Sequence, residues 1–244
     1  GINPLPSLDF KFIIANTLVP LDNRNQLSMF ENQQFITELK NVREEYFNAD
    51  SDRKTELKLE FAEIQKRMYQ DTIDNYTKQA SRRYAELSRW SPFSNETTAW
   101  FDPEWMFGVA NGFDIVIANP PYVSVKSIDD SDKETYRSIY RSGKGRFNLF
   151  TLMIERGISL LTSDGTLTYI QPEGIFTNIE YRFIREIIVN ETSLLSVTMF
   201  DNRVFAAAVD TAVLQVCKPH KRNNSFPVIK NMDNTEIILK QDSD

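Results

Sequence analysis

A short apolar segment that ends in two prolines constrains the fold of this chain more than any other feature. Phe113 to Ala118 (FDIVIA) is a near-continuous apolar run, which predicts a buried β-strand. The next four residues are Asn119-Pro120-Pro121-Tyr122. Consecutive prolines hold φ at about −65°, remove two backbone N–H donors and keep the preceding residue out of the helical region. The strand therefore has to end in a stiff, extended corner.

The rest of the C-terminal half alternates between helix-like and strand-like segments. The pattern predicts a helix that begins at Leu149 and ends near Asp164-Gly165, a second helix over 179–189, and strands over 166–170, 195–200 and 211–217, followed by a hairpin over 226–239. This alternation is typical of an α/β fold with a mostly parallel sheet and helices on both faces. Ligands bind at the carboxyl ends of the strands in such sheets, and the Asn119 corner lies at that end of its strand.

The N-terminal half has a different pattern. Asp9 to Ala15 predicts a buried strand, and apolar residues at helical spacing between Asn25 and Trp90 predict a long helical hairpin. We expect four regions along the chain: an N-terminal strand segment over 1–24, the helical hairpin over 25–90, the core with the corner over 91–219, and a C-terminal hairpin or the start of a next region over 220–244.

Composition and charge exclude several classes of protein. A single cysteine and a single histidine allow no internal disulfide and no zinc cluster, so we predict no metal site and a reducing compartment. No apolar run approaches the length of about 18 residues that spans a bilayer, so we predict a cytoplasmic protein with no membrane partner. The net charge of −6 excludes a polycation that binds nucleic acid indiscriminately. The candidates for a local nucleic-acid site are the basic residues that follow the corner: Arg137, Arg141, Lys144 and Arg146.

The corner carries groups that suit a planar amino group attached to an aromatic ring. The Asn119 side-chain oxygen and the Pro120 carbonyl are two acceptors for the amino hydrogens, and Tyr122 has a flat face for the ring. Holding the nitrogen in this way prepares its lone pair to attack an activated methyl group, through positioning and electrostatics without a strong general base. In the alternative interpretation, the prolines only end the strand and Tyr122 only packs on it.

The corner and its surroundings resemble a known family. Gly112 to Val123 (GFDIVIANPPYV) is similar to the catalytic motif of N6-adenine DNA methyltransferases, most of all those of type IIG restriction-modification enzymes and related phage-defence methylases. Further resemblance to the family's motifs extends over Phe10 to Leu18, Lys144 to Leu161, and Val204-Phe205 with Asp210 to Leu214.

The resemblance implies a Rossmann-like S-adenosylmethionine-dependent methyltransferase fold and transfer of a methyl group to N6 of an adenine flipped out of double-stranded DNA. It implies that Asn119, Pro120, Pro121 and Tyr122 are catalytic, that Tyr122 and Phe205 stack on the target base, and that Asn16 lies beside the adenine of the cofactor. For Phe205, packing in the core is an equally good interpretation. The four basic residues are candidates for phosphate contacts or members of an ordinary charged loop.

Part of the family pattern is missing from these residues. The Gly-rich turn and the acidic residue that hold S-adenosylmethionine are not present, and the one GxG (Gly143-Lys144-Gly145) follows a polar, helix-like stretch. We therefore expect a partial fold without its first two strands, interrupted by the helical hairpin and completed by the remainder of a parent chain. We expect the fragment alone to be inactive, and an exposed sheet edge to favour self-association.

Two other functions fit the same residues. Protein-glutamine N5 methyltransferases also use Asn-Pro-Pro-Tyr, because a glutamine amide is likewise a planar amino group. A non-catalytic DNA-binding or assembly module in a defence complex is the third interpretation.

Overall fold

The chain forms two compact units, Gly1–Ala110 and Asn111–Asp244. The computed structural model describes residues 9–21, 33–75, 85–94, 96–200, 209–218, 225–230 and 235–240. Within these residues, no helix has the combination of length and apolarity that crossing a membrane needs.

The first unit is built on a helical hairpin, as its apolar spacing predicts. Helix α1 (Gln33–Asn48) and helix α2 (Ser51–Asn75) pack against each other, and residues 85–89 are also helical. The residues at helical spacing form the buried side of the hairpin: Leu39, Val42, Tyr46, Leu57, Phe61, Ile64 and Met68. Residues 76–84 of the predicted hairpin lie outside the described residues.

The strand predicted over residues 9–15 does not form. Phe10 adopts a positive φ of 62° and turns its ring into the hairpin, where it meets Tyr46, Phe61 and Phe93 edge-on. Among the described residues, an isolated bridge between Ala15 and Thr98 is the only strand pairing of this segment, and Phe12 is 71% exposed. Phe10 thus packs into the aromatic core of the hairpin. The turn that this residue makes is what interrupts the extended backbone of the predicted strand.

A short helix also lies in the segment before the corner. Helix α3 (Pro103–Phe107) begins where the Asp102 side chain accepts a hydrogen bond from the Trp105 N–H at 2.7 Å, and it ends at Gly108 in the left-handed conformation. Asp-Pro at the start and Gly at the end are recognised helix signals, so this helix was predictable from the sequence.

The second unit is a six-stranded sheet in the order β1-β2-β4-β3-β5-β6. The strands are β1 (Phe113–Ala118), β2 (Leu161–Pro172), β3 (Ser193–Met199), β4 (Thr211–Cys217), β5 (Ser225–Lys230) and β6 (Thr235–Lys240). Its helices are α4 (Asp130–Ile139), α5 (Leu149–Ser159) and α6 (Arg182–Glu191). The sheet and its helices form an α/β fold, as the alternating pattern predicts.

The sheet is mixed, whereas a mostly parallel sheet was predicted. β1 pairs with β2 and β3 with β5 in parallel, but β4 is antiparallel to both of its neighbours and β6 is antiparallel to β5. The connection from β3 to β4 and that from β5 to β6 are too short for the helical crossover that parallel neighbours need. Strand direction therefore follows the length of the connections.

Within this unit one face of the sheet carries the core. Helices α5 and α6 share a single buried cluster with β2, β3 and β4, which includes Phe150, Ile184, Leu167, Val197 and Leu214. On β1, by contrast, Ile115 and Ile117 are 65% and 75% exposed. The prediction of helices on both faces is therefore wrong for the described residues of this unit.

Candidate active site

The Asn119 corner lies at the carboxyl ends of two parallel strands. The pairing of β1 with β2 ends at Ala118 and Tyr169, and the corner follows directly. Asn119 and Pro121 are exposed, while Pro120 is buried. Because neither proline has an N–H to donate, the corner leaves the sheet instead of extending the ladder. Asn119 therefore presents its amide to solvent from a rigid position.

Tyr122 fastens the corner to the neighbouring strand. Its hydroxyl donates a hydrogen bond to the Ile170 carbonyl at 3.2 Å, one residue beyond the last β2 residue paired with β1. The ring meets Phe150 edge-on, with the ring centroids 6.2 Å apart. Burial raises the pKa of the Tyr122 phenol, so the hydroxyl stays a donor. The hydroxyl is thus engaged in the protein, and the ring is the part of the half-buried side chain that could meet a ligand.

The chain after Tyr122 is tied to the start of α5. The Leu149 N–H donates to the Val123 carbonyl at 2.9 Å, and the Val125 N–H donates to the Phe147 carbonyl at 3.1 Å. Ser124 and Asn148 form an isolated bridge, and the Asn148 side chain caps α5 by accepting from the Phe150 N–H. The corner is therefore held on both sides, by β1 before it and by α5 after it.

A carboxylate on α5 holds the turn that contains Arg141, one of the predicted basic residues. Glu155 accepts hydrogen bonds from the backbone N–H groups of Arg141 and Ser142, at 3.1 and 2.8 Å, in the 3-10 turn Arg141–Gly143. The Ser142 hydroxyl donates to the Thr151 carbonyl of the same helix. Sequence reasoning did not identify Glu155, because the spacing between the turn and the helix follows no local pattern.

The four predicted basic residues differ in their surroundings. Arg141 is paired with Glu191 at 2.5 Å and Glu155 at 3.6 Å, and Arg146 with Glu180 at 3.0 Å. The guanidinium of Arg137 lies over the Phe147 ring and contacts the Gly145 carbonyl at 3.5 Å. Lys144 lies 5.9 Å from the centre of the Phe183 ring. Two of the four charges are thus already balanced by carboxylates.

The other two predicted site residues are Asn16 and Phe205. Asn16 is in the first unit, where its side-chain oxygen accepts a hydrogen bond from the Leu18 N–H at 3.1 Å and its own N–H donates to Thr98. Phe205 lies outside the described residues.

The described residues do not by themselves fit the nucleoside part of S-adenosylmethionine. A cradle for it needs glycines directly after the carboxyl end of a strand. The glycines with positive φ lie elsewhere: Gly108 ends α3, Gly112 precedes β1 and Gly145 is in a turn between helices. Gly174 follows the carboxyl end of β2, but it is a single glycine and the Asn178 side chain occupies the space beside it, 3.0 Å from where a Cβ would lie. The Asn16 oxygen is engaged by Leu18. Among the same residues, no three His, Cys, Asp or Glu side chains are grouped so that they could hold a metal ion.

A buried glutamine next to the corner was also missed. Gln171 follows Ile170 on β2 and is fully buried, and neither its amide oxygen nor its amide nitrogen has a hydrogen-bond partner among the residues that the structure describes. The alternation of Leu167, Tyr169 and Gln171 along the strand does predict an inward direction for this side chain. A buried amide without a partner is costly, and this one follows the residue whose carbonyl accepts the Tyr122 hydrogen bond.

Comparison with known proteins agrees with the resemblance of the motifs. The chain is 27% identical over 124 residues to the type II restriction enzyme and methyltransferase RM.Eco57I of Escherichia coli, a match that covers 49% of this chain and 12% of that protein. It is 29% identical over 112 residues to the type II methyltransferase M.AccI of Acinetobacter calcoaceticus, covering 44% and 21% of the two chains. The matched part is thus under a quarter of either relative.

Solved structures of similar proteins include two from restriction systems. The M protein of the type I restriction enzyme EcoKI has a TM-score of 0.43 and 15% identity, over 70% of this chain and 41% of that chain. The type IIG restriction endonuclease BpuSI has a TM-score of 0.42 and 17% identity, over 62% and 19%. The family model described as Eco57I restriction-modification methylase matches residues 11–205, which is most of the sequence. The chain belongs to the Eco57I restriction-modification methylase family.

Proposed function

We propose that this chain is the target-binding part of a site-specific DNA methyltransferase in a restriction-modification or phage-defence system. Its reaction transfers a methyl group from S-adenosylmethionine to N6 of an adenine that has left the duplex. The observation that carries the proposal is the rigid corner with an exposed Asn119 amide at the carboxyl ends of β1 and β2. Family membership supports the same reaction.

The corner supplies the positioning that an amino nucleophile needs. The Asn119 oxygen and the Pro120 carbonyl accept the two hydrogens of the adenine amino group, which keeps the nitrogen lone pair out of conjugation with the ring. Proline stereochemistry holds the two acceptors, so little reorganisation accompanies the reaction. The methyl donor supplies an activated carbon, and residues other than the described ones bind its nucleoside part.

Tyr122 completes this arrangement as a stacking surface. The Tyr122 hydroxyl is hydrogen-bonded to the Ile170 carbonyl, and the Tyr122 ring packs edge-on against the Phe150 ring. The Tyr122 ring therefore has a defined orientation before a base binds. Stacking on an aromatic side chain is worth about 1–3 kcal/mol per base, which offsets part of the cost of taking the adenine out of the duplex. Phe205 is the proposed second face, and the basic residues are proposed to contact the DNA backbone.

The test is methylation by the full-length protein in a bacterial host that lacks adenine methylation. We expect N6-methyladenine at one sequence in the host DNA, measured by mass spectrometry of nucleosides and by sequencing that detects modified bases. Asn119→Ala should lower the initial rate about 10²-fold or more, because a preorganised acceptor is lost. Asn190→Ala, an exposed asparagine on α6, is the matched control and should leave the rate unchanged.

Three results would contradict the proposal. Methylation of a glutamine peptide without methylation of DNA would identify a protein methyltransferase. A defence phenotype that Asn119→Ala leaves intact would identify a non-catalytic module. For the 244-residue chain alone we propose no activity and no tight donor binding, and calorimetry that gives micromolar affinity for S-adenosylmethionine would contradict that part.

A further inference from the structure

An isoleucine is exposed on a rigid turn beside the candidate site. Ile179 is 70% exposed and begins the 3-10 turn Ile179–Tyr181. The backbone before it is fastened, since Arg185 donates from one guanidinium nitrogen to the carbonyls of Ile175 and Asn178, at 2.6 and 2.7 Å. Ile175 is itself fully buried. The bulky apolar side chain of Ile179 is therefore exposed to solvent, although the turn that contains it is anchored to the core.

The turn and the Asn119 corner share one support. Both follow the carboxyl ends of neighbouring parallel strands, the turn after β2 and the corner after β1. The Tyr181 ring meets Phe150 edge-on at 5.1 Å, and Tyr122 meets the same Phe150 ring at 6.2 Å. Ile179, two residues before Tyr181, thus lies on the same edge of the sheet as the corner and in a fixed relation to it.

Two cations lie near the turn that contains this isoleucine. Lys144 and Arg182 both lie against the Phe183 ring, at 5.9 and 4.6 Å from its centre. Within the part of the chain that the structure describes, neither forms an ion pair, in contrast to Arg141 and Arg146. The Arg146–Glu180 pair joins the turn that contains Lys144 to the turn that contains Ile179. An apolar tip beside unpaired cations is the combination that suits a nucleic-acid duplex, whose backbone is anionic and whose bases stack.

We propose that Ile179 is a wedge that enters the duplex where the target nucleotide leaves, while Lys144 and Arg182 contact the flanking phosphates. The inference rests on the proposed function, because it concerns the same extrusion of a base. Extrusion leaves a gap in the base stack, and an apolar side chain in the gap replaces part of the lost stacking. The β-branched side chain is stiff at χ1 and the turn is anchored, so the wedge loses little freedom on insertion. Ile179 is a positioning residue, since it does not contact the reacting atoms.

The test uses the full-length protein and a duplex with 2-aminopurine at the methylated position, whose fluorescence rises when the base leaves the stack. Wild-type protein should give the rise, and Ile179→Ala should reduce it about fivefold or more. Ile179→Met, which keeps an apolar tip, should retain most of it. Val189→Ala changes a residue that is 54% exposed at the other end of α6 and should match the wild type.

A second duplex separates a wedge from a general DNA contact. Ile179→Ala should weaken binding about tenfold on the fully paired duplex, but less than twofold when the target adenine faces an abasic site, because the cost of extrusion is then small. Equal losses on both duplexes, or equal fluorescence for Ile179→Ala and wild type, would overturn the wedge and leave the proposed function standing. A wild-type protein that neither methylates nor extrudes a base would overturn the proposed function, and the wedge with it.

Discussion

Burial decides what each residue of the corner can offer to a ligand. Asn119 is exposed, so its amide is available, whereas the Tyr122 hydroxyl is taken by the Ile170 carbonyl. The Ile170 carbonyl is available to this hydroxyl because the prolines have no N–H with which to continue the pairing of β1 with β2. The same two prolines therefore both set the corner's direction and create the acceptor that orients Tyr122. At this position, the ring and the hydroxyl have separable roles.

Substitutions of Tyr122 should separate these roles in a methylation assay of the full-length protein. Tyr122→Phe keeps the ring and loses one hydrogen bond, so we expect a loss of stability of about 1 kcal/mol and a rate within a few-fold of wild type. Tyr122→Ala removes the stacking surface, and we expect the rate to fall about 10²-fold. Similar losses for both variants would show that the hydroxyl, and not the ring, is the important group.

Tyr169 should make stability sensitive to alkaline pH. Burial on β2 raises the pKa of its phenol to about 12, from an ordinary value of 10.0. Above pH 10 the unfolded chain releases a proton that the folded chain retains, so the free energy of unfolding falls as pH rises from about 10 towards 12. Below that window the group contributes no pH dependence.

Urea unfolding at about pH 8 and about pH 11 measures this effect. Between the two, wild type should lose about 1 kcal/mol more stability than Tyr169→Phe, which has no proton to release. Tyr69→Phe, on the more exposed side of α2, is the control and should follow the wild type. Parallel pH profiles for wild type and Tyr169→Phe would exclude the effect.

At the level of elements, side chains on helices hold the loops that surround the site. Glu155 of α5 binds the backbone of the 3-10 turn at 141–143, and Arg185 of α6 binds the backbone around Ile175 and Asn178. Each contact joins a loop to a helix packed on the sheet. The loops at this edge thus gain their rigidity from α5 and α6 and not from their own sequence.

Removing the carboxylate should loosen the first of these loops. Glu155→Ala leaves two backbone N–H groups without their acceptor, so we expect a loss of about 1–3 kcal/mol and faster amide exchange at residues 141–143. Glu191→Ala removes only the outer partner of Arg141 and should cost less than about 1 kcal/mol. Unchanged exchange in Glu155→Ala would mean that the turn keeps its conformation without this contact.

At the scale of the whole molecule, the second unit has an open edge. Among the described residues β1 has a neighbouring strand on one side only, and its exposed face carries Ile115 and Ile117. Unpaired strand edges with apolar side chains favour association with another strand. The two antiparallel strands, β4 and β6, pair with other strands of the sheet, so neither of them covers the edge of β1.

We expect the 244-residue chain to self-associate at high concentration in sedimentation velocity. Ile117→Lys should shift it towards monomer, because a charge on an edge strand opposes pairing. Val189→Lys places the same charge on α6 and should not change the distribution. A wild-type chain that stays monomeric throughout would show that the edge is protected in solution.

The sequence by itself determined β1, the corner that follows it, the buried side of the helical hairpin and most of the later strands. These depend on local periodicity and on proline stereochemistry, which act over a few residues. Only the tertiary structure decided that Phe10 turns inward, that the sheet is mixed, and that Ile179 is exposed beside the corner. It also decided that Arg141 and Arg146 are paired with carboxylates while Lys144 has no such pair among the described residues. Such features depend on which distant residues meet, because burial and charge pairing are properties of the packed chain that local spacing does not encode.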